Sequence, residues 1–211
     1  MIRIVVADDH TVVREGLKQV LGSQADFEVV GEAQNGDEVL RNLRAAAFDI
    51  LLLDQSMPGT SAIELIKQVH AAKPAVRILV LSQHEDHQYA VRAIRAGAAG
   101  WLEKGGASSL LVEAVRKIAS GGAFISASVA EQLALGAMPD AKGPLHAALS
   151  DREFQIFRMI AEGMSISDIA AELDLSVKTV STHKTNILQK MNMTTQAELI
   201  RYAITHHLVE E

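Results

Sequence analysis

Short apolar runs alternate with helical patterns through the first 120 or so residues, and that alternation restricts the fold more than any other feature. Runs at 2–7, 27–31, 48–54, 77–82 and 99–102 are rich in β-branched and aliphatic residues. Between and after them, segments 14–21, 37–43, 63–69, 89–96 and 109–119 carry apolar residues at helical spacing, and Gly121-Gly122 closes the last. Strands that are apolar on both faces belong to a parallel sheet covered by helices on both sides. Five such β-α units predict an α/β, doubly wound, five-stranded parallel sheet.

In sheets of that kind, chemistry gathers at the carboxyl ends of the strands. Asp8 and Asp9 follow the first run, Asp54 ends the third, Ser82 ends the fourth and Lys104 follows the fifth. Three carboxylates in one crevice repel unless a cation lies among them. An all-oxygen set with few carboxylates suits Mg²⁺, which also lets an anionic carboxylate approach an anionic phosphoryl donor. One carboxylate can then act as a nucleophile and form an acyl phosphate. The Lys104 ammonium and the Ser82 hydroxyl are placed to meet phosphoryl oxygens. Met57-Pro58-Gly59 predicts a tight turn after Asp54. His10 is a further candidate to line the crevice. His84-Glu85-Asp86-His87 reads as a polar loop opening a helix rather than a metal site.

Residues 123–148 change character, with a short helix expected near 128–135 and a Pro/Gly-rich stretch at 136–144. These residues are taken as a linker between domains at 1–122 and 149–211. Beyond them strand signals vanish. Ser150 with Glu153, Ser165 with Asp168 and Thr195 with Glu198 have the spacing of capping boxes, and Ser176 is a further N-cap candidate. The order helix (165–173), short turn, helix (177 to about 191) is a helix-turn-helix, whose second helix places its N-terminal part in the DNA major groove. That helix carries Lys178, Ser181, Thr182, Lys184, Thr185 and Lys190 and no acid, although the chain's net charge is −6. Lysines and hydroxyls suit phosphates, and hydroxyls also suit base edges. Val177, Val180, Ile187, Leu188 and Met191 are expected to face the core.

The chain has no cysteine, so disulfides, thiolate metal sites and cysteine nucleophiles are excluded. No apolar run reaches the ~18 residues of a membrane span, and no secretory signal is evident. A cytoplasmic protein is expected. The residues alone leave two rival readings open: a Mg²⁺-dependent phosphatase or phosphotransferase using Asp54, and a C-terminal module that grips protein instead of DNA.

Asp8-Asp9, Asp54-Gln-Ser-Met-Pro-Gly59, Leu-Ser82 and Gly100-Trp-Leu-Glu-Lys104 resemble the flavodoxin-like receiver domain of two-component response regulators. Leu149-Ser150-Asp-Arg-Glu153, Ala161-Glu162-Gly163, Ile169-Ala170 and Lys178-Thr179-Val180-Ser181-Thr-His183 resemble the four-helix LuxR-type domain. Together the chain is similar to the NarL/FixJ family. The resemblance implies that Asp54 accepts phosphate from a sensor histidine kinase and that the protein is not a turnover enzyme. It implies Mg²⁺ on Asp8, Asp9, Asp54 and the backbone carbonyl of Ser56, with Ser82 and Lys104 sensing the phosphoryl group and Trp101 as switch aromatic. Ser181, Thr182 and Thr185 would lie nearest the bases of promoter DNA, with Lys178, Thr179, Lys184 and Lys190 near phosphates. The last helix would support a homodimer. Gly105 stands where many receivers have proline, and Glu103 where an apolar residue is common; Glu103 is expected to point to solvent.

Overall fold

The computed structural model describes residues 1–83, 87–135, 144–206 and 208–209, which fall into two compact units, Met1–Ala134 and Leu135–Glu211. The residues expected as a linker are divided between the two. His84, Glu85, Asp86 and most of the Pro/Gly-rich stretch lie outside the described residues.

The first unit is an α/β sandwich. Its strands are β1 (Ile2–Ala7), β2 (Phe27–Ala33), β3 (Ile50–Asp54), β4 (Arg77–Ser82) and β5 (Gly100–Glu103). They form one parallel sheet in the order β2-β1-β3-β4-β5. The helices are α1 (Thr11–Gly22), α2 (Gly36–Ala45), α3 (Ala62–Ala72), α4 (His87–Ala96) and α5 (Ser108–Ala119). Every residue of β3 is buried, as its uninterrupted apolar run requires of a central strand. Ile4, Val6, Ile50, Leu52, Leu79 and Leu81 of the sheet share one core with Val112, Val115 and Ile118 of α5.

Local chemistry fixes the helix starts. Asn35 accepts from Glu38 N at the head of α2, and Ser61 accepts from Glu64 N at the head of α3. Gly59 has φ +87° after the Met57-Pro58 pair, a left-handed conformation suited to glycine. Phe124, expected in the linker, makes an isolated parallel bridge to Gly100 and packs on the sheet core. A short helix, α6 (Ala127–Leu135), follows, with Val129 buried.

Among its described residues the second unit holds a 3₁₀ turn (Leu145–Ala148) and four helices: α7 (Asp151–Ala161), α8 (Ile166–Glu172), α9 (Val177–Lys190) and α10 (Gln196–Thr205). Their core is Phe154, Phe157, Ile160, Ile169, Val180, Ile187, Met191 and Leu199. Ser150/Glu153 and Thr195/Glu198 form reciprocal capping boxes. Ser165/Asp168 forms only half of one: Ser165 caps Asp168 N and its hydroxyl donates to Asp168 Oδ2 at 2.6 Å, while the aspartate side chain, one methylene shorter than glutamate, makes no return bond to Ser165 N. Asp174, at φ 51°, turns α8 into α9, and Leu175 N donates to Ala170 O across that turn. In the 3₁₀ turn, buried His146 lies with Nδ1 3.0 Å from the Tyr202 hydroxyl of α10.

Candidate functional site

The sheet carries Asp8, Asp9, Asp54, Ser82 and Lys104 to one edge. Parallel register sets Ala7 beside Leu53, Asp54 beside Leu81 and Ser82 beside Glu103, so the chain leaves β1, β3, β4 and β5 at the same end. Two backbone bonds fix the loop heads: Gln55 N donates to Leu81 O at 2.9 Å, and Lys104 N donates to Ser82 O at 2.7 Å.

Asp8, Asp9, His10 and Asp54 each offer one ligand atom, and those atoms lie within 4.8 Å of one another. Asp8 and Asp54 are 0% and 1% exposed. Lys104 Nζ donates to Asp8 Oδ2 at 2.7 Å and lies 2.9 Å from Asp54 Oδ1. The second contact is an ion pair by distance without hydrogen-bond geometry, so neither Asp54 oxygen receives a hydrogen bond. Asp9 Oδ1 is likewise buried without one, although His10 Nδ1 is 2.9 Å away. Buried carboxylate oxygens without donors are what a hard cation requires of its ligands. The donor set therefore fits Mg²⁺.

Burial pushes the Asp54 carboxyl above its usual range; Lys104 opposes this and the Asp8 charge adds to it. Burial alone would lower the Lys104 ammonium, but Asp8 and Asp54 outweigh it and hold the group above its ordinary value. The site thus keeps a protonated lysine against a carboxylate that ionises reluctantly.

Ser82 is buried, and its hydroxyl donates to Gln55 Oε1 at 2.6 Å. Trp101 is 8% exposed, with its ring 5.9 Å from that of Tyr89 on α4. Glu103 is exposed, in line with expectation. Ser56 occupies the exposed turn after β3.

Two supporting residues went unnoticed in the sequence. Gln55 holds the Ser82 hydroxyl. Arg14, on α1 and buried, donates from Nη1 to Asp8 O at 2.7 Å and lies 3.3 Å from Glu32, bracing the acidic loop from behind. An arginine on the buried side of an otherwise amphipathic helix was the available signal.

The second candidate surface is α9. Lys178, Ser181, Thr182 and Thr185 are exposed and Thr179 is half-buried. The Thr182 and Thr185 hydroxyls donate to the carbonyls of Lys178 and Ser181, at 2.9 and 3.1 Å, leaving lone pairs outward. Lys184 and Lys190 are differently placed. Lys184 Nζ donates to Gln196 Oε1 at 2.7 Å, and Lys190 Nζ donates to Glu153 Oε2 at 2.6 Å. Burial would raise the Glu153 carboxyl, but Lys190 and Ser150 bring it below its usual range. Val177, expected in the core, is instead 51% exposed, at the first position of the helix.

Among the described residues no helix is long and apolar enough to cross a membrane. The family described as "Response regulator receiver domain" matches residues 4–116, and "Bacterial regulatory proteins, luxR family" matches residues 147–203. The chain is 36% identical to the response regulator UvrY of Escherichia coli O6:H1 over 209 residues, 99% of this chain and 96% of that protein. It is 34% identical to the response regulator GacA of Pseudomonas aeruginosa over 211 residues, 100% of this chain and 99% of the relative. RcsB from Salmonella enterica serovar Typhimurium, solved on the promoter rprA in the presence of the phosphomimetic BeF3-, aligns at a TM-score of 0.67 and 26% identity, covering 97% of this chain and all of that one.

Proposed function

This chain belongs to the response regulators in which a receiver domain precedes a LuxR-type DNA-binding domain, regulating transcription through phosphorylation, and we propose that Asp54 is its phosphoacceptor. The buried Asp54 carboxylate, without a hydrogen-bond donor and flanked by Lys104, is the observation that carries this reading. An Asp54 oxygen attacks the phosphorus of a sensor kinase's phosphohistidine. A P–O bond forms, the P–N bond breaks, and the imidazole leaves as a neutral ring that keeps the proton already on its other nitrogen.

Asp8, Asp9, Asp54 and the backbone carbonyl of Ser56 would hold Mg²⁺, which supplies positive charge where an anionic nucleophile meets an anionic donor. Lys104 already stands 2.9 Å from Asp54 and pairs with the phosphoryl oxygens. The Ser82 hydroxyl leaves Gln55 to bond the new phosphoryl group. Trp101, beside Tyr89, repacks in response, which changes the face made by α4, β5 and α5. A few kcal/mol of differential stabilisation is enough to move such a two-state equilibrium. In this reading a receiver at 1–122 and a DNA-binding domain at 149–211 are joined by a linker at 123–148, of which Phe124 and most of α6 fall with the first unit.

The output is duplex DNA bound by a homodimer in the cytoplasm. Ser181, Thr182 and Thr185 face base edges, while Lys178 and Thr179 face phosphates. Lys184 and Lys190, through Gln196 and Glu153, position α9 against α10 and α7, with phosphate contact as a second role. Two copies bind half-sites about one helical turn apart. Titrating a promoter duplex selected from a random pool tests this, with and without a small acyl phosphate donor. Wild type should bind more tightly with the donor, and affinity should fall with salt. A donor response that persists in Asp54→Ala overturns the assignment.

A further inference from the structure

Val177 is the first residue of α9 and is 51% exposed, whereas Val180 and Ile187 on the same helix are fully buried. Its position leaves an apolar side chain facing outward at the start of the helix. A helix's first turn favours acidic side chains, which complement the macrodipole, and valine is a modest helix former. An acid at this position would repel a polyanion, and α9 has none in its first turn. Val177, Ser181 and Thr185 follow one another at i, i+4 and i+8, and so lie along one exposed ridge. Lys178 is exposed next to Val177. An apolar group at the head of a ridge of hydroxyls, within a cationic surface, matches one feature of the DNA major groove: the thymine 5-methyl group.

We infer that Val177 is a specificity-determining residue that recognises a thymine through its methyl group. The inference rests on the DNA-binding reading above. Ser181 and Thr185 can accept several bases through their hydroxyls, whereas an apolar contact at the start of the ridge favours one. The fixed χ1 of a β-branched side chain holds its methyl groups in place before binding.

The test uses the full-length protein, treated with an acyl phosphate donor, to select a duplex from a random pool. Each thymine of the half-site is then replaced by deoxyuridine, which removes only the methyl group. Affinities are measured for wild type, Val177→Ala and Val177→Ile. One replacement should weaken wild-type binding about fourfold, as expected for one buried methyl-sized group. The same replacement should leave Val177→Ala unaffected, and Val177→Ile should regain the discrimination. Reselection with Val177→Ala should give a degenerate base at that position. The inference is overturned if every deoxyuridine replacement affects wild type and Val177→Ala equally, or if Val177→Ala weakens all duplexes by one common factor, which marks a backbone contact. Failure of wild type to bind any duplex would overturn the DNA-binding reading as well, which separates the two failures.

Discussion

Replacing Lys104 with methionine removes the cation from between two buried carboxylates. Its ammonium lies 2.7 Å from Asp8 and 2.9 Å from Asp54. At an effective dielectric of about 20, each attraction is worth roughly 6 kcal/mol before desolvation. What remains is a pair of like charges whose ligand atoms lie within 4.8 Å, repelling by at least about 3.5 kcal/mol on the same scale. The net loss is smaller, because the buried ammonium no longer has to be desolvated and one carboxyl can take up a proton. Removing one partner of a buried pair typically costs about 3–5 kcal/mol, and that is the expected destabilisation in chelator at neutral pH. Trp101 is the only tryptophan and lies in the first unit, so its fluorescence during urea unfolding follows that unit alone. The more negative crevice of the variant should bind Mg²⁺ at least about tenfold more tightly, shrinking the loss by about 1.4 kcal/mol when the ion is saturating. Lowering the pH toward 5 should shrink it as well, because protonating one carboxyl relieves the repulsion. A loss below about 1 kcal/mol, or one indifferent to both Mg²⁺ and pH, would refute the reasoning.

Asp54→Asn should stabilise the first unit at neutral pH without metal. Burial raises the folded carboxyl above its unfolded value, so the stability linked to its proton is present at low pH and lost as pH rises through the folded value. The wild-type minus variant difference, from urea midpoints between pH 4.5 and 7, should grow more negative with pH. Glu153→Gln should destabilise the second unit by about 1–2 kcal/mol through loss of the Lys190 pair and part of the Ser150 cap. Here the folded carboxyl is lowered, so the lost stability should be largest above the unfolded carboxylate range and should fade as pH drops through the folded value, as read by circular dichroism melts.

Much of the acidic cluster was legible because an apolar run and the acid that ends it are both local signals. A short apolar run such as Ile50-Leu-Leu-Leu53, bounded by acids, fits a buried strand, and a parallel sheet brings such strand ends together. Contacts between distant positions left no comparable mark. The bond from Ser82 to Gln55 spans 27 residues and that from Lys190 to Glu153 spans 37, so nothing in the spacing distinguished an unengaged lysine from one held by a neighbouring helix. Val177 was misplaced for a related reason. Helical periodicity puts it near Val180 and Met191, but periodicity does not report that the first residue of α9 is exposed while Val180, three residues on, is buried. Phe124 joined the sheet although the Gly121-Gly122 pair marked the end of its domain, because the gap beside Gly100 accepts an aromatic ring and a backbone bridge.

Phosphorylation at Asp54 is the central claim, and intact mass tests it most directly. Purified wild type, Asp54→Ala and Lys104→Met would be incubated with Mg²⁺ and a small acyl phosphate donor, with parallel samples in chelator. A single phosphoryl adduct on wild type, absent in Asp54→Ala and absent in chelator, is the expected result. An adduct that survives in Asp54→Ala, or none on folded wild type with Mg²⁺ present, would contradict it.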